Sequence, residues 1–179
     1  PASFHVSKKK LESIVSTLRD VDFGAFYRET VAKLSEAREV IEEEVVPNII
    51  ILPSLGTKTM LWQELEGTNR KSRGRIVVPA LFMGDLLKSM AHTIACFRYE
   101  LNRSIKGGQW RDPIEGGLTG IYLDYVQFYK KNSKLSIEAK EKIAEKFKSI
   151  RDDRNRFADD YILWVMYEKD GIPKLNNVV

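Results

Sequence analysis

The residues best suited to chemistry lie close together in one stretch of the chain. His92, Cys96 and Glu100 follow one another at steps of four, which places an imidazole, a thiol and a carboxylate along one face of a helix. Such a set could activate a thiolate for attack on an acyl group, but a reactive thiolate needs an electropositive, partly exposed setting. Cys96 is flanked by Ala95 and Phe97, so a packing role is expected for it. The same His92–Cys96 pair could supply two ligands to a metal, yet His5 is the only other histidine and no third ligand stands nearby in sequence. No metal and no cofactor are therefore expected. If this helix lines a pocket, Arg98, Glu100 and Arg103 are the polar groups that would join His92 there.

Four other patterns carry possible chemistry. Asp152-Asp153 and Asp159-Asp160 could hold magnesium or do acid–base work. Arg151, Arg154 and Arg156 alternate with them, which fits a solvated helix face laced with ion pairs better. Gly116-Gly117-Leu118-Thr119-Gly120 precedes a helix, where backbone N–H groups can receive a phosphate, but neither a P-loop nor a dinucleotide fingerprint follows. Arg70, Lys71, Arg73 and Arg75 put four cations on a short loop, which suits an anion or nucleic acid. No aromatic ring is interleaved for base stacking, so nucleic acid is not favoured. Tyrosines and tryptophans are numerous towards the C-terminus, and Trp110, Tyr129 and Trp164 are the expected contact surface for a partner.

The elements that must position these groups follow from periodicity. Ser7 caps a short helix over residues 8–20, with Leu11, Ile14, Val15 and Leu18 on one face. Phe26, Tyr27, Val31, Leu34, Ala37 and Ile41 predict a second helix from about Phe23 to Glu44. Its Glu42-Glu43-Glu44 end opposes the helix dipole, which calls for basic residues from elsewhere. Asn48–Leu52 and Arg75–Val78 read as extended connectors, with pairing between them into one small ribbon as the alternative. A short helix is expected over 57–66. Residues 80–105 read as a central helix that is apolar around most of its circumference, ended by Gly107-Gly108. Further helices are expected over 117–131 and from Ser136 to about Asp170, where Arg154 is the one polar member of the apolar stripe. The expected fold is mainly α: a bundle of about six helices, two of them long, with two short extended segments, forming a single domain over 1–179.

Composition bounds the rest. With 43% apolar and 30% charged residues the 179-residue chain is globular, and a single cysteine excludes an internal disulfide and suggests a reducing, cytoplasmic setting. A net charge of +4 is too small and too dispersed to be a nucleic-acid footprint. No apolar run has the length of a membrane span. The chain starts at Pro1 and stops at Val179 as though excised from a longer protein.

The strings Trp62-Gln63-Glu64-Leu65-Glu66-Gly67, Phe97-Arg98-Tyr99-Glu100-Leu101-Asn102-Arg103 and Tyr125-Val126-Gln127-Phe128-Tyr129-Lys130-Lys131-Asn132 resemble a helical region of large uncharacterised bacterial proteins. Some of these carry a cyclic-nucleotide-binding domain elsewhere. The resemblance spans residues 57–179 and implies no active-site residue. It implies an accessory or output region of a regulatory protein. The function expected first is a non-enzymatic regulatory or protein-interaction module, its partner another protein, a neighbouring domain or a second copy. Anion or nucleic-acid binding through residues 70–75 is the alternative, and an enzyme with its pocket on the central helix is the second alternative.

Overall fold

A computed structural model of the chain describes residues 4–34, 37–62, 73–131, 133, 136–138, 140–141 and 153–169. The elements are α1 (Lys8–Val21), β1 (Tyr27–Leu34), β2 (Ala37–Glu44), β3 (Asn48–Gly56), β4 (Met60–Leu61), β5 (Arg75–Phe82), α2 (Leu86–Lys106), α3 (Gly117–Lys131) and α4 (Asp153–Lys169), with one 3₁₀ turn at Gly107–Gln109. The fold is mixed α and β. The expected bundle of about six helices is overturned by two sheets, and the described residues contain four α-helices.

Three segments account for the difference. Residues 27–44 form an antiparallel hairpin rather than a helix, with Tyr27 opposite Glu44 and Leu34 opposite Ala37. A hairpin has no macrodipole, so the acidic run is no longer misplaced, and Arg19 of α1 supplies the basic partner at 3.0 Å from Glu44. The two extended connectors pair as parallel strands in the register Ile49↔Ile76 and Ile51↔Val78. Met60 and Leu61, expected in a helix, instead pair antiparallel with Val77 and Ile76, giving the order β3-β5-β4. Residues 57–59 and 62 of that expected helix are not helical either, and residues 63–66, like residues 142–152 of the expected long C-terminal helix, lie outside the described residues.

The helices obey their signals. The Ser7 side chain accepts from the Lys10 N–H at 3.2 Å at the start of α1. Asp85 does the same for α2 through the Lys88 N–H at 2.9 Å. Gly107, at φ 57°, ends α2 in the left-handed region that glycine adopts without strain. The Asp112 carboxylate accepts from the Ile114 and Glu115 N–H groups at 2.8 Å each, so the Glu115 bond first and the Ile114 bond second hold its pKa below the usual range.

One face of the small sheet carries the core. Ile76, Val78 and Phe82 of β5 are buried with Leu11 and Leu18 of α1, Met90, Ile94 and Phe97 of α2, and Phe157, Tyr161 and Val165 of α4. The Val6 N–H donates to the Ala80 carbonyl, so α1 starts beside the C-terminal end of β5. It ends at Asp22, which pairs with Arg98 far along α2. Since α2 leaves the C-terminal end of β5 and returns along it, α1 and α2 both run antiparallel to β5, and therefore to β3.

The turn before α3 is packed on glycine. A Cβ at Gly120 would overlap the Asp112 carbonyl oxygen, whereas Gly108 has open space around it. Gly120→Ala is expected to cost about 1–3 kcal/mol through the forced shift of the 110–116 turn, while Gly108→Ala stays within about 0.5 kcal/mol of wild type. Urea denaturation of the two variants checks this; equal effects would contradict the packing.

Candidate functional site

The polar groups on α2 do not converge. Glu100 and Arg103 bond each other, while Arg98 and His92 are directed elsewhere. Arg98 pairs with the buried carboxylate of Asp22 at the end of α1, and the Tyr161 hydroxyl of α4 donates to that same carboxylate at 2.9 Å. Glu100, also buried, accepts from Arg103 Nε at 2.8 Å and from Arg154 Nη1 at 3.1 Å. Burying either carboxylate without such partners would cost several kcal/mol. Each pair therefore acts as a specific tie between elements: α1–α2–α4 through Asp22, and α2–α4 through Glu100. The single polar residue in the α4 stripe, Arg154, thus has its explanation in Glu100.

His92 and Cys96 lie elsewhere on α2, with Sγ 3.7 Å from Nδ1. They line an open groove of about 670 Å³ together with Lys58, Lys88, Asp159 and the Thr59–Thr93 hydroxyl pair, whose oxygens are 2.7 Å apart. Arg154 reaches the rim of this groove, but Arg98, Glu100 and Arg103 do not line it. Arg98 instead borders a separate, smaller pocket of about 240 Å³ with Asn102, Lys106 and Gly117. The four polar residues expected around one pocket are thus split among different surroundings. Among the described residues no three histidine, cysteine or carboxylate side chains are grouped to hold a metal ion.

The other candidates fall as follows. Arg70 and Lys71 lie outside the described residues, while Arg73 and Arg75 are exposed at the start of β5. Trp110 is half-buried, edge-on to Tyr99 with centroids 6.2 Å apart and with Arg111 4.8 Å above its ring. Trp164 is half-buried against Tyr161. Tyr129 belongs to α3. Asp160, expected on a solvated face, accepts from the Tyr122 hydroxyl at 2.8 Å. Asp153 pairs with Arg156 at 3.2 Å, as alternating charges predict.

The feature that sequence reasoning missed is apolar. A groove of about 800 Å³ runs between α1 and β3, floored by Ile49 and Ile51 and walled by Leu11, Val15 and Phe23. Phe23 is 77% exposed, and Ile49 and Ile51 are 37% and 42% exposed. The register places these two isoleucines beside Ile76 and Val78, on the face that the helices cover in β5. They are core-type positions at the margin of the helical layer. β3 is also an edge strand: among the described residues only β5 pairs with it. The Asn48 N–H donates to the Gly74 carbonyl, towards β5, so by strand alternation the backbone groups of Ile49 and Ile51 point the other way. The signal available in sequence was the run Ile49-Ile50-Ile51-Leu52 itself, which reads equally well as a buried connector.

Residues 107–179 are similar to a family described as a domain of unknown function, DUF8509. The matched segment begins where α2 ends and takes in α3 and α4. No curated protein matches the chain, and no solved structure matches it either. No helix among the described residues is long and apolar enough to cross a membrane.

Burial, the Asp22 charge and the hydrogen bond to Asp22 push the Tyr161 hydroxyl well above its ordinary pKa, and burial beside Asp160 does the same for Tyr122. The unfolded chain releases these protons near pH 10 while the folded chain keeps them. Stability is therefore complete below about pH 10 and falls above it, by roughly 1.4 kcal/mol per pH unit for each tyrosine. Urea titrations at pH 8 and pH 11 are expected to show a smaller alkaline loss in Tyr161→Phe than in wild type. An unchanged loss would contradict the Asp22 tie.

Proposed function

We propose that this chain is a non-enzymatic protein-interaction module that accepts an extended apolar segment as an added strand on the edge of β3 that no described residue pairs with, in the service of regulation or assembly. The single observation that carries the reading is the α1–β3 groove. It joins three things a strand-accepting surface needs: outward-pointing backbone groups at Ile49 and Ile51, an apolar floor, and a deep apolar wall at Leu11, Val15 and Phe23. Main-chain hydrogen bonds would give affinity, and pockets for alternate side chains would give selectivity.

The charge on the groove selects the occupant's chemistry. Lys8 and Arg19 are matched by Glu12 and Asp20, so the rim carries no net sign. A strongly acidic or basic segment gains nothing there, and an apolar strand does. The separation of His92 and Arg98 from each other and from the Glu100–Arg103 pair supports a role without bond-making chemistry.

Fluorescence anisotropy with a labelled peptide of about ten residues, isoleucine at alternate positions and lysines at the ends, tests this reading. Binding is expected, and Ile51→Glu is expected to weaken it at least about tenfold, a change of roughly 1.4 kcal/mol. A proline-interrupted peptide should bind far less. Absence of binding, or binding indifferent to Ile51→Glu, would overturn the proposal.

A further inference from the structure

We infer that the strand received at this edge is β3 of a second copy of the chain, related by a two-fold axis perpendicular to the sheet. The inference rests on the strand-accepting reading above and names its occupant.

The backbone geometry is self-complementary. Laid antiparallel about Ile50, the segment Asn48–Leu52 places Ile49 of one copy opposite Ile51 of the other. These are the residues whose N–H and C=O groups face outward. Each copy then donates its Ile49 and Ile51 N–H and accepts at the same residues, while Ile50, turned towards β5, forms the close non-hydrogen-bonded pair on the axis. The Ile49 and Ile51 side chains of both copies meet on the helical face. The layer that α1 leaves unfinished is thereby completed by the α1 of the second copy.

The charges on the groove obey the same axis. α1 runs antiparallel to β3, so the operation brings the N-terminal half of one α1 beside the C-terminal half of the other. Glu12 and Arg19 stand at equal distances in sequence from the Val15–Ser16 midpoint, so with the axis crossing α1 there, as the proposal requires, Glu12 of each copy faces Arg19 of the other. A heterologous partner would not require opposite charges at mirrored positions along one helix. The pairs these residues make within the chain, Lys8–Glu12 and Arg19–Glu44, are exposed and contribute little, so exchange for a partner across the axis is open to them.

The sheet is also built to stop at two copies. Pro53 lacks the N–H that would continue the outward ladder, and the register of β3 breaks between Leu52 and Leu55. The opposite margin of the sheet is β4, only two residues long. Pairing therefore closes as a dimer and does not propagate as a fibre.

Sedimentation velocity of residues 1–179 over a wide concentration range, with light scattering, tests the inference. A concentration-dependent dimer is expected. Ile51→Glu should abolish it. Glu12→Arg alone and Arg19→Glu alone should each raise the dimer dissociation constant at least tenfold, and the two together should recover most of that loss. A wild type that stays monomeric while still binding the isoleucine peptide would refute self-pairing and leave the strand-accepting surface standing. A dimer that survives Ile51→Glu, or a double charge reversal no better than the single ones, would refute self-pairing directly. Monomeric behaviour together with no peptide binding would remove both readings.

Discussion

The helical layer over β5 is the constraint on which the rest of this structure depends. A parallel strand pair buries its apolar face only if helices lie on it. Here that task falls to α1 and α2, with α4 behind them. Ile76 and Val78 are sealed as a result. The layer is only as wide as its helices, however, and it runs out above β3. Ile49 and Ile51 carry the same residue type and face the same way as the sealed pair, but stand half outside it. The candidate surface is thus a consequence of how the core is made, at the place where the core stops.

Polar ties fix where the helices lie. α2 is the buried axis, and its polar residues would be costly there without partners. Asp22 joins α1 to α2 and α4 through Arg98 and Tyr161, and Glu100 joins α2 to α4 through Arg154. Thr59 anchors the β3–β4 connection to Ser89 and Thr93 on the same helix. At the C-terminal end of α2, Asn102 accepts from the Thr119 N–H at 3.2 Å and sets the start of α3. These contacts give each helix one orientation on the sheet, and the depth of the α1–β3 groove follows from the placement of α1.

How much of this was legible in the sequence divides by distance along the chain. Ser7 and Gly107 act within a turn of themselves, and the helix ends they mark are readable from local spacing, whereas residues 80–82, expected in the central helix, belong to β5 and the helix starts only at Leu86. Residues 23–44 were misread because Phe26, Val31, Leu34 and Ile41 satisfy a helical spacing as well as membership of a hairpin. The connecting Leu34-Ser35-Glu36-Ala37 also contains no glycine, asparagine or proline to announce a turn. The pairing of β3 with β5 joins residues 27 apart, Ile49 and Ile76, in a parallel register that no local pattern specifies. The same holds for Asp22, Arg98 and Tyr161, three ordinary polar residues until the fold brings them into one contact. His92 and Cys96 lie on one helix face as expected, but Arg98, Glu100 and Arg103 lie away from their groove, because positions around a helix packed on several sides face different neighbours.

The central claim is that the backbone groups of Ile49 and Ile51 face outward from a sheet edge built to receive another strand. Amide hydrogen exchange, read residue by residue at low and at high protein concentration, tests it most directly. The account predicts that the Ile49 and Ile51 amides exchange rapidly in dilute solution and become protected as the edge is occupied. The Ile50 amide, directed at β5, is slow throughout. Protection of Ile49 and Ile51 that is already complete in dilute solution, or that changes neither with concentration nor on addition of the isoleucine peptide, would contradict it.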